Sequence, residues 1–210
     1  MGASVAVSSN GSGPHRVGEI IETSTARIWV QSDELHELPP LGALVRVSTQ
    51  VGDPIFAVVS FGETVGIDAG RRAIRRGSAE VRDQEVYRRH PELSRILRTT
   101  FEAVPVAYRR GRVIRHLLPP LPPPLHYSVS DVEPGDVYAV TNEPRYLSIL
   151  AQYQGEVRAE QLIAAHVRLV YEGRGRDAAW LDDAASEISR LFKRDYDQLL
   201  AILKAIDPDA

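Results

Sequence analysis

Apolar and polar residues that alternate over short, regularly spaced segments constrain the fold of this chain more than any other feature of its sequence. The segments ARIWVQ, residues 26–31, and ALVRVSTQ, residues 43–50, both alternate. Such a period of two is typical of a strand with one buried face. Residues 55–61, IFAVVSF, are apolar at nearly every position, which predicts a strand buried on both faces. With a further strand at residues 17–21, these segments predict four strands of a small barrel or sandwich.

The pattern changes after the fourth predicted strand. From residue 68 to about 100 the apolar spacing is helical, and Pro91 is well placed as the first residue of a short helix. Strand character returns in FEAVPVAY, and after the polar turn RRGR it continues in VIRHLL. Pro105 cannot donate a backbone hydrogen bond, so it should lie at an edge or a bulge. We therefore expect an α+β fold, with a small six-stranded β-barrel over residues 15–118 and a helical insertion at about 68–100.

Five prolines in PPLPPPLH, residues 119–126, impose an extended, polyproline-like course. This run predicts either a rigid connector or a ligand for a proline-recognition domain. It coincides with a change of charge, because residues 14–118 carry 16 arginines against 13 acidic residues, whereas residues 119–210 carry 9 basic and 15 acidic residues. We place a domain edge here, and we expect the Gly/Ser-rich residues 1–14 to be a flexible N-terminus.

Beyond the prolines, residues 127–210 have mostly helical spacing. After two shorter helices, the last one is predicted to run without interruption from about Asp177 to Ile206, roughly 45 Å at 1.5 Å per residue. Its apolar residues recur in steps of three and four, close to a heptad seam. Because such a helix is longer than a small domain needs, we predict that Leu199, Leu203 and Ile206 pack against another helix, from the same tail or from a second copy.

Several residues of the strand region resemble those of a known family. The first strand reads Gly18-Glu19-Ile20, Gly42 precedes the third strand, and the fourth ends at Phe61-Gly62. In these features, in the late hairpin and in the proline-rich exit, residues 14–130 resemble the HAS-barrel. This is the small six-stranded β-barrel at the N-terminus of HerA-type DNA-translocating ATPases and of ATP synthase α and β subunits. In those assemblies the barrel packs into a hexameric crown, so the resemblance implies ring formation or docking onto a ring ATPase.

The motor that follows the barrel in HerA proteins has no counterpart in this sequence. Its Walker A loop, G-x-x-x-x-G-K-[ST], needs glycines that wrap the phosphates and a lysine that neutralises them. The two lysines of this chain, Lys193 and Lys204, fall in the predicted terminal helix, and neither is preceded by glycine. ATP hydrolysis is therefore not expected of this chain.

No residue pattern points to a catalytic or metal centre. The chain has no cysteine, which excludes disulfides, thiolate metal sites and cysteine nucleophiles. Its six histidines include no pair at i, i+4 spacing, and His166, on the apolar face of a predicted helix, is predicted to be a hydrogen-bonded core residue. The acidic pairs Asp182-Asp183 and Asp195/Asp197 are predicted to lie on the solvent side of a helix. We predict no catalytic residue, no metal and no cofactor.

Arginine is concentrated in residues 71–115, which hold 13 arginines against 5 acidic residues. Guanidinium groups bind phosphates in bidentate fashion, and clustered cations favour nucleic acid. The alternative is that these arginines form salt bridges with the acidic C-terminal half of the same or a neighbouring chain. The candidate nucleic-acid-binding residues are Arg71, Arg72, Arg75, Arg76, Arg109, Arg110 and Arg112.

These observations leave two main hypotheses for function. The first is a non-catalytic interaction or assembly module, a stand-alone HAS-barrel that self-associates or docks onto a ring ATPase or similar machine. The alternative is a nucleic-acid-binding protein in DNA processing that uses its arginine-rich region. The family context also allows an arginine supplied in trans to a neighbouring nucleotide. The N-terminus lacks a signal pattern and no segment approaches the about 20 apolar residues of a membrane span, so we expect a cytoplasmic protein.

Overall fold

In a computed structural model of the protein, residues 14–68 and 74–208 are described. They form one antiparallel sheet and seven α-helices, which confirms the predicted α+β class. The strands are β1 (Arg16–Thr23), β2 (Ile28–Ser32), β3 (Leu44–Val47), β4 (Ile55–Gly66), β5 (Leu97–Arg110), β6 (Val113–Arg115) and β7 (Ser128–Asp131). The helices are α1 (Gln84–Arg89), α2 (Leu93–Ile96), α3 (Pro134–Thr141), α4 (Leu147–Leu150), α5 (Ala159–Gly173), α6 (Ala178–Leu191) and α7 (Tyr196–Ile206), with a 3₁₀ turn at Pro144–Tyr146.

The strand order in the sheet is β2-β1-β7-β3-β4-β5-β6, and β2 also pairs with β5. In that additional pairing Ile28 lies opposite Ala103 and Val30 opposite Phe101. The pairings of six strands therefore return to the strand at which they start. β6 lies outside this series and extends the sheet as the second half of a hairpin with β5.

The sequence does not predict β7, so the sheet has seven strands in place of six. β7 inserts between β1 and β3, with Val129 opposite both Gly18 and Val47. It is short and contains two serines, so only Val129 supplies a buried apolar side chain and no alternation is visible. Because β7 follows residues 119–126, the proline-rich segment does not end the sheet but carries the chain back into it.

The β4–β5 hairpin is the longest feature of the sheet, and its register runs from Ile55 opposite Tyr108 to Gly66 opposite Leu97. The predicted helical insertion at about 68–100 is correspondingly shorter, because β5 already begins at Leu97 and the described part of the insertion holds only α1 and α2. Pro105 faces Ala57 directly beside a register shift, as expected for a proline within a strand.

The two apolar faces of β4 connect two cores. Ile55, Ala57 and Val59 lie inside the sheet, in a cluster with residues of β1, β2, β3, β5 and β7. Val58, on the opposite face, belongs to a second cluster that is formed mainly by helices and that also receives Val104 from β5. This arrangement confirms that IFAVVSF is buried on both faces, because each face packs against a different core. α5 lies at the centre of the helical layer and packs against α3, α4, α6 and α7.

The terminal helix is not continuous, and the prediction of one helix from Asp177 to Ile206 is wrong. α6 ends at Leu191, and α7 begins at Tyr196 after a short turn. The side chain of Asp195 accepts a hydrogen bond from the backbone N–H of Gln198 at 3.0 Å, the geometry of a helix N-cap. An aspartate N-cap followed three residues later by glutamine is a pattern that predicts the start of a helix. Here this start signal interrupts the continuous helix that the heptad-like spacing of apolar residues predicted.

We expect Asp195→Ala to lower the free energy of unfolding by about 1 kcal/mol, because it removes the side-chain acceptor that caps α7. The measurement is the urea midpoint at unchanged slope. Asp197→Ala is the matched control, since it removes the same charge from the first turn of α7 without removing the cap. Equal losses in the two variants would contradict a capping role for Asp195.

The three predicted interface residues pack within their own chain. Ile206 is buried in the helical core, and Leu199 and Leu203 are partly buried against the same cluster. Their helix, α7, packs mainly on α5. The second helix expected opposite this seam is therefore one from the same tail.

Candidate interaction surface

The predicted arginines do not form one surface in the part of the chain that the structure describes. Arg71 and Arg72 lie outside the described residues. Arg75 and Arg76 are exposed, and Arg76 lines a cavity together with Leu97, the first residue of β5. The other three, at residues 109–112, lie at the opposite end of this 14-residue strand, on the order of 40 Å along its length.

Several arginines of residues 71–115, including the candidate Arg109, are committed to contacts within the fold. Arg109 donates a hydrogen bond from Nη2 to Oδ1 of Asp136, and its guanidinium lies 5.5 Å from the centre of the Phe56 ring. Arg88 and Arg89 both form ion pairs with Glu85, one turn earlier on α1. For these three residues, intrachain ion pairing describes the structure better than a free cationic surface.

The β5–β6 hairpin carries three of the arginines that remain available. Arg110 pairs with Val113 across a two-residue turn, in which Gly111 has φ +60° and Arg112 a negative φ, as in a type II′ turn. Arg110, Arg112 and Arg115 are exposed and form no ion pair with any residue in the described ranges. Two of them were candidates from the sequence, and the hairpin brings these two together at its tip.

A second property of this region is the exposure of large apolar side chains. Between residues 113 and 125, the 113–125 segment, five of them face solvent, including Leu117 at 61% and Leu121 at 75% exposure. The five are Val113, Leu117, Leu118, Leu121 and Leu125. Within the same segment Pro119 and Pro123 are buried, so the proline-rich run lies against the molecule with one side and presents leucines on the other.

Arg110 and the proline-rich run border one groove. It is lined by Tyr108, Arg110, Val51 and residues 119–124. Leu121 therefore lies beside the unpaired guanidinium group of Arg110, and apolar area with a charged rim of this kind is typical of protein-binding surfaces. The sequence did single out both the prolines and the arginines, but it gave no sign that they adjoin.

Sequence reasoning missed a buried polar network centred on Glu102. Glu102, on β5, is 4% exposed, and its Oε1 accepts hydrogen bonds from Ser60 Oγ at 2.8 Å and Tyr153 Oη at 3.0 Å. Burial raises the pKa of Tyr153, and its hydrogen bond to the Glu102 carboxylate acts in the same direction. No local pattern links these residues, because they are 42 and 51 positions apart in the chain.

Comparison with known proteins adds no relative, since neither a protein-family model nor a curated protein matches this sequence. Among the helices that the structure describes, none combines the length and the apolar character needed to cross a membrane.

Proposed function

We propose that the protein is a non-catalytic interaction module that uses the 113–125 segment to bind a protein partner. The observation that carries this proposal is the exposure of five large apolar side chains within 13 residues, of which Leu121 borders one groove with the unpaired Arg110 of the β5–β6 hairpin. Full burial of an exposed side chain of this size contributes about 1.5–3 kcal/mol, and these five, at 43–75% exposure, leave much of that contribution unused. Exposed apolar patches mark interaction sites in proteins.

The sheet pairings support the HAS-barrel resemblance within this proposal. Six strands whose pairings return from β5 to β2 are what a closed six-stranded barrel requires, with β6 and the proline-rich segment attached outside it. In HerA and ATP synthase assemblies the barrel packs into a hexameric crown. By this analogy, the partner is either further copies of the chain or the crown of a ring ATPase.

The test compares the oligomeric mass of the wild type with that of the double variant Leu117→Asp, Leu121→Asp, by light scattering over a concentration series. Both side chains are more than half exposed, so the variant should fold like the wild type. If copies of the chain are the partner, the wild type should exceed the 23.2 kDa of a single chain and the variant should not. The change should weaken association at least about tenfold, since a buried, unpaired carboxylate costs more than 1.4 kcal/mol.

Tyr196→Asp is the matched control, because Tyr196 is also exposed, at 69%, but lies at the start of α7. It should leave association unchanged. If the wild type is a monomer at every concentration, a ring ATPase should co-purify with the wild type and not with the Leu117/Leu121 variant. A monomer with no such ATPase would remove the support for this function.

One observation favours a second function, the binding of nucleic acid. Arg110, Arg112 and Arg115 form no ion pair within the described ranges, and a two-stranded ribbon of this kind fits the major groove of DNA. We expect any binding to weaken steeply with salt and to be lost in a variant with serine at these three positions. Serine at the paired Arg88 and Arg89 is the control and should change little. No retardation of DNA or RNA at low salt would exclude this function.

A further inference from the structure

A cavity of about 520 Å³ lies where the outer side of β5 meets α4 and the residues that follow β6. Its apolar wall includes Val104, Leu117 and Ile149, and its polar groups include Arg27, Glu102 and Tyr153. The volume is within the range of cavities that bind small molecules. The cavity is therefore large enough for a compact organic ligand with one polar end.

The carboxylate of Glu102 is buried, but only one of its two oxygens accepts hydrogen bonds from described residues. Oε1 receives its two donors, Ser60 and Tyr153, whereas Oε2 accepts no hydrogen bond from any described residue. Arg27 forms an ion pair with Oε2, but its Nη1 lies 3.6 Å away, beyond hydrogen-bond distance. An ionised carboxylate has room for about four donors, so a buried one with an open oxygen can accept more.

Arg27 is not fixed in place by Glu102. Its side chain is 55% exposed, and its other terminal nitrogen, Nη2, lies 3.6 Å from Glu22 Oε1 at the surface. Arg27 can therefore stay with Glu22 while another donor approaches Glu102. In contrast, Ser60 and Tyr153 hold the Glu102 carboxylate in position at the cavity wall.

We propose that this cavity binds a small organic cation, a primary ammonium attached to a compact apolar body. The ammonium would donate to Oε2 of Glu102, where a charge-assisted hydrogen bond is available. The apolar body would lie against Val104, Leu117 and Ile149. An anion is disfavoured, because the carboxylate at this wall is buried, whereas Arg27, the basic residue among the described lining residues apart from His116, is 55% exposed. The inference goes beyond the proposed interaction function and does not depend on it.

The experiment is a titration of the isotope-labelled full chain with cyclohexylammonium, followed by NMR chemical shifts. We expect shifts at the backbone amides of Val104, Ile149 and Tyr153. Cyclohexanecarboxylate and cyclohexanol are the matched probes of equal shape, and both should bind at least about tenfold more weakly. Equal or tighter binding of the carboxylate would overturn the proposal, as would the absence of shifts with the ammonium.

Two variants decide the assignment of the charged groups. Glu102→Gln should weaken binding of cyclohexylammonium at least about tenfold, because the neutral amide offers no charge-assisted bond. Arg27→Gln changes an exposed residue, so it keeps the test valid even if Glu102→Gln does not fold. It should tighten binding of the ammonium, since it removes a competing cation. Weaker ammonium binding in Arg27→Gln, or unchanged binding in folded Glu102→Gln, would contradict the site.

Discussion

Replacing Gly42 with alanine is expected to lower the free energy of unfolding by about 3 kcal/mol or more, from strain and overpacking together. Gly42 has φ +85°, a conformation that side chains disfavour. A Cβ at this position would lie 2.5 Å from the backbone nitrogen of His166 and 2.7 Å from the carbonyl carbon of Ala165. Both atoms belong to the backbone of α5, so the clash cannot be relieved by a side-chain rotation. The variant must separate α5 from the turn that leads into β3.

Gly52→Ala is the matched control for this prediction. Gly52 has nearly the same φ, +82°, but nothing lies within 4 Å of the position that a Cβ would occupy. This variant should therefore lose only about 1–2 kcal/mol, the cost of the left-handed conformation itself. Urea unfolding of both variants and the wild type gives the two values. Equal losses would contradict the close approach of Gly42 to α5.

The glycines that the sequence analysis noted in the strand region acquire a physical reason from the fold. A Cβ on Gly18 would lie 2.3 Å from the carbonyl oxygen of Gln31, so β1 and β2 cross too closely there for any side chain. Gly42 has the same role between the sheet and α5. Sequence alone could locate Gly18 within a short strand and Gly42 before one, but it could not say which element approaches each of them.

Local signals explain what could be predicted and what could not. β2, β3 and β4 were predictable because burial of one or both faces leaves a repeating pattern along the chain. β7 contributes one buried apolar residue, and its partners β1 and β3 are more than 80 residues away, so no pattern could reveal it. The break before α7 did have a local signal, the Asp195 cap, but the seam of apolar residues runs through it and suggested continuity.

The arginines illustrate the same limit for the candidate surface. The pairing of Arg88 and Arg89 with Glu85 could have been read from their spacing of three and four residues. The pairing of Arg109 with Asp136 could not, because 27 residues separate them and α3 must first fold back on the sheet. Composition therefore identified an arginine-rich region, while the tertiary fold decided which of its members remain unpaired.

The buried histidine predicted from the apolar face of α5 is confirmed by its two hydrogen bonds. Nδ1 of His166 donates to the carbonyl oxygen of Gly42 at 2.7 Å, and the Tyr146 hydroxyl lies 2.8 Å from Nε2. Because a carbonyl only accepts, the proton of the neutral ring is on Nδ1, and Nε2 accepts from Tyr146. Burial raises the pKa of Tyr146, so the hydroxyl stays protonated as this donor. Protonation of Nε2 would therefore remove the acceptor of the Tyr146 hydrogen bond.

Lowering the pH from 7.5 to 5 is expected to cost the protein about 2 kcal/mol of stability through His166 alone. Burial lowers the pKa of His166 to about 4, and the hydrogen bond to Gly42 opposes this only in part. The unfolded chain, with the ordinary histidine pKa of about 6.5, binds the proton more readily between these values. This contribution is therefore complete above about pH 6.5, falls as the pH is lowered, and levels off below about pH 4.

The test is urea unfolding of the wild type, His166→Gln and His15→Gln at pH 7.5, at pH 5 and at about pH 3.5. His166→Gln should be less stable than the wild type at pH 7.5, but it should lose about 2 kcal/mol less on acidification because it has no group to protonate in the unfolded chain. His15 is 82% exposed, so His15→Gln should keep the pH dependence of the wild type. If all three proteins lose the same stability, the buried histidine does not resist protonation. A loss that appears only below pH 4 would instead assign the effect to carboxylates such as Glu19 and Asp177, whose pKa values are lowered in the fold by hydrogen bonds from His126 and from the Trp180 backbone, respectively.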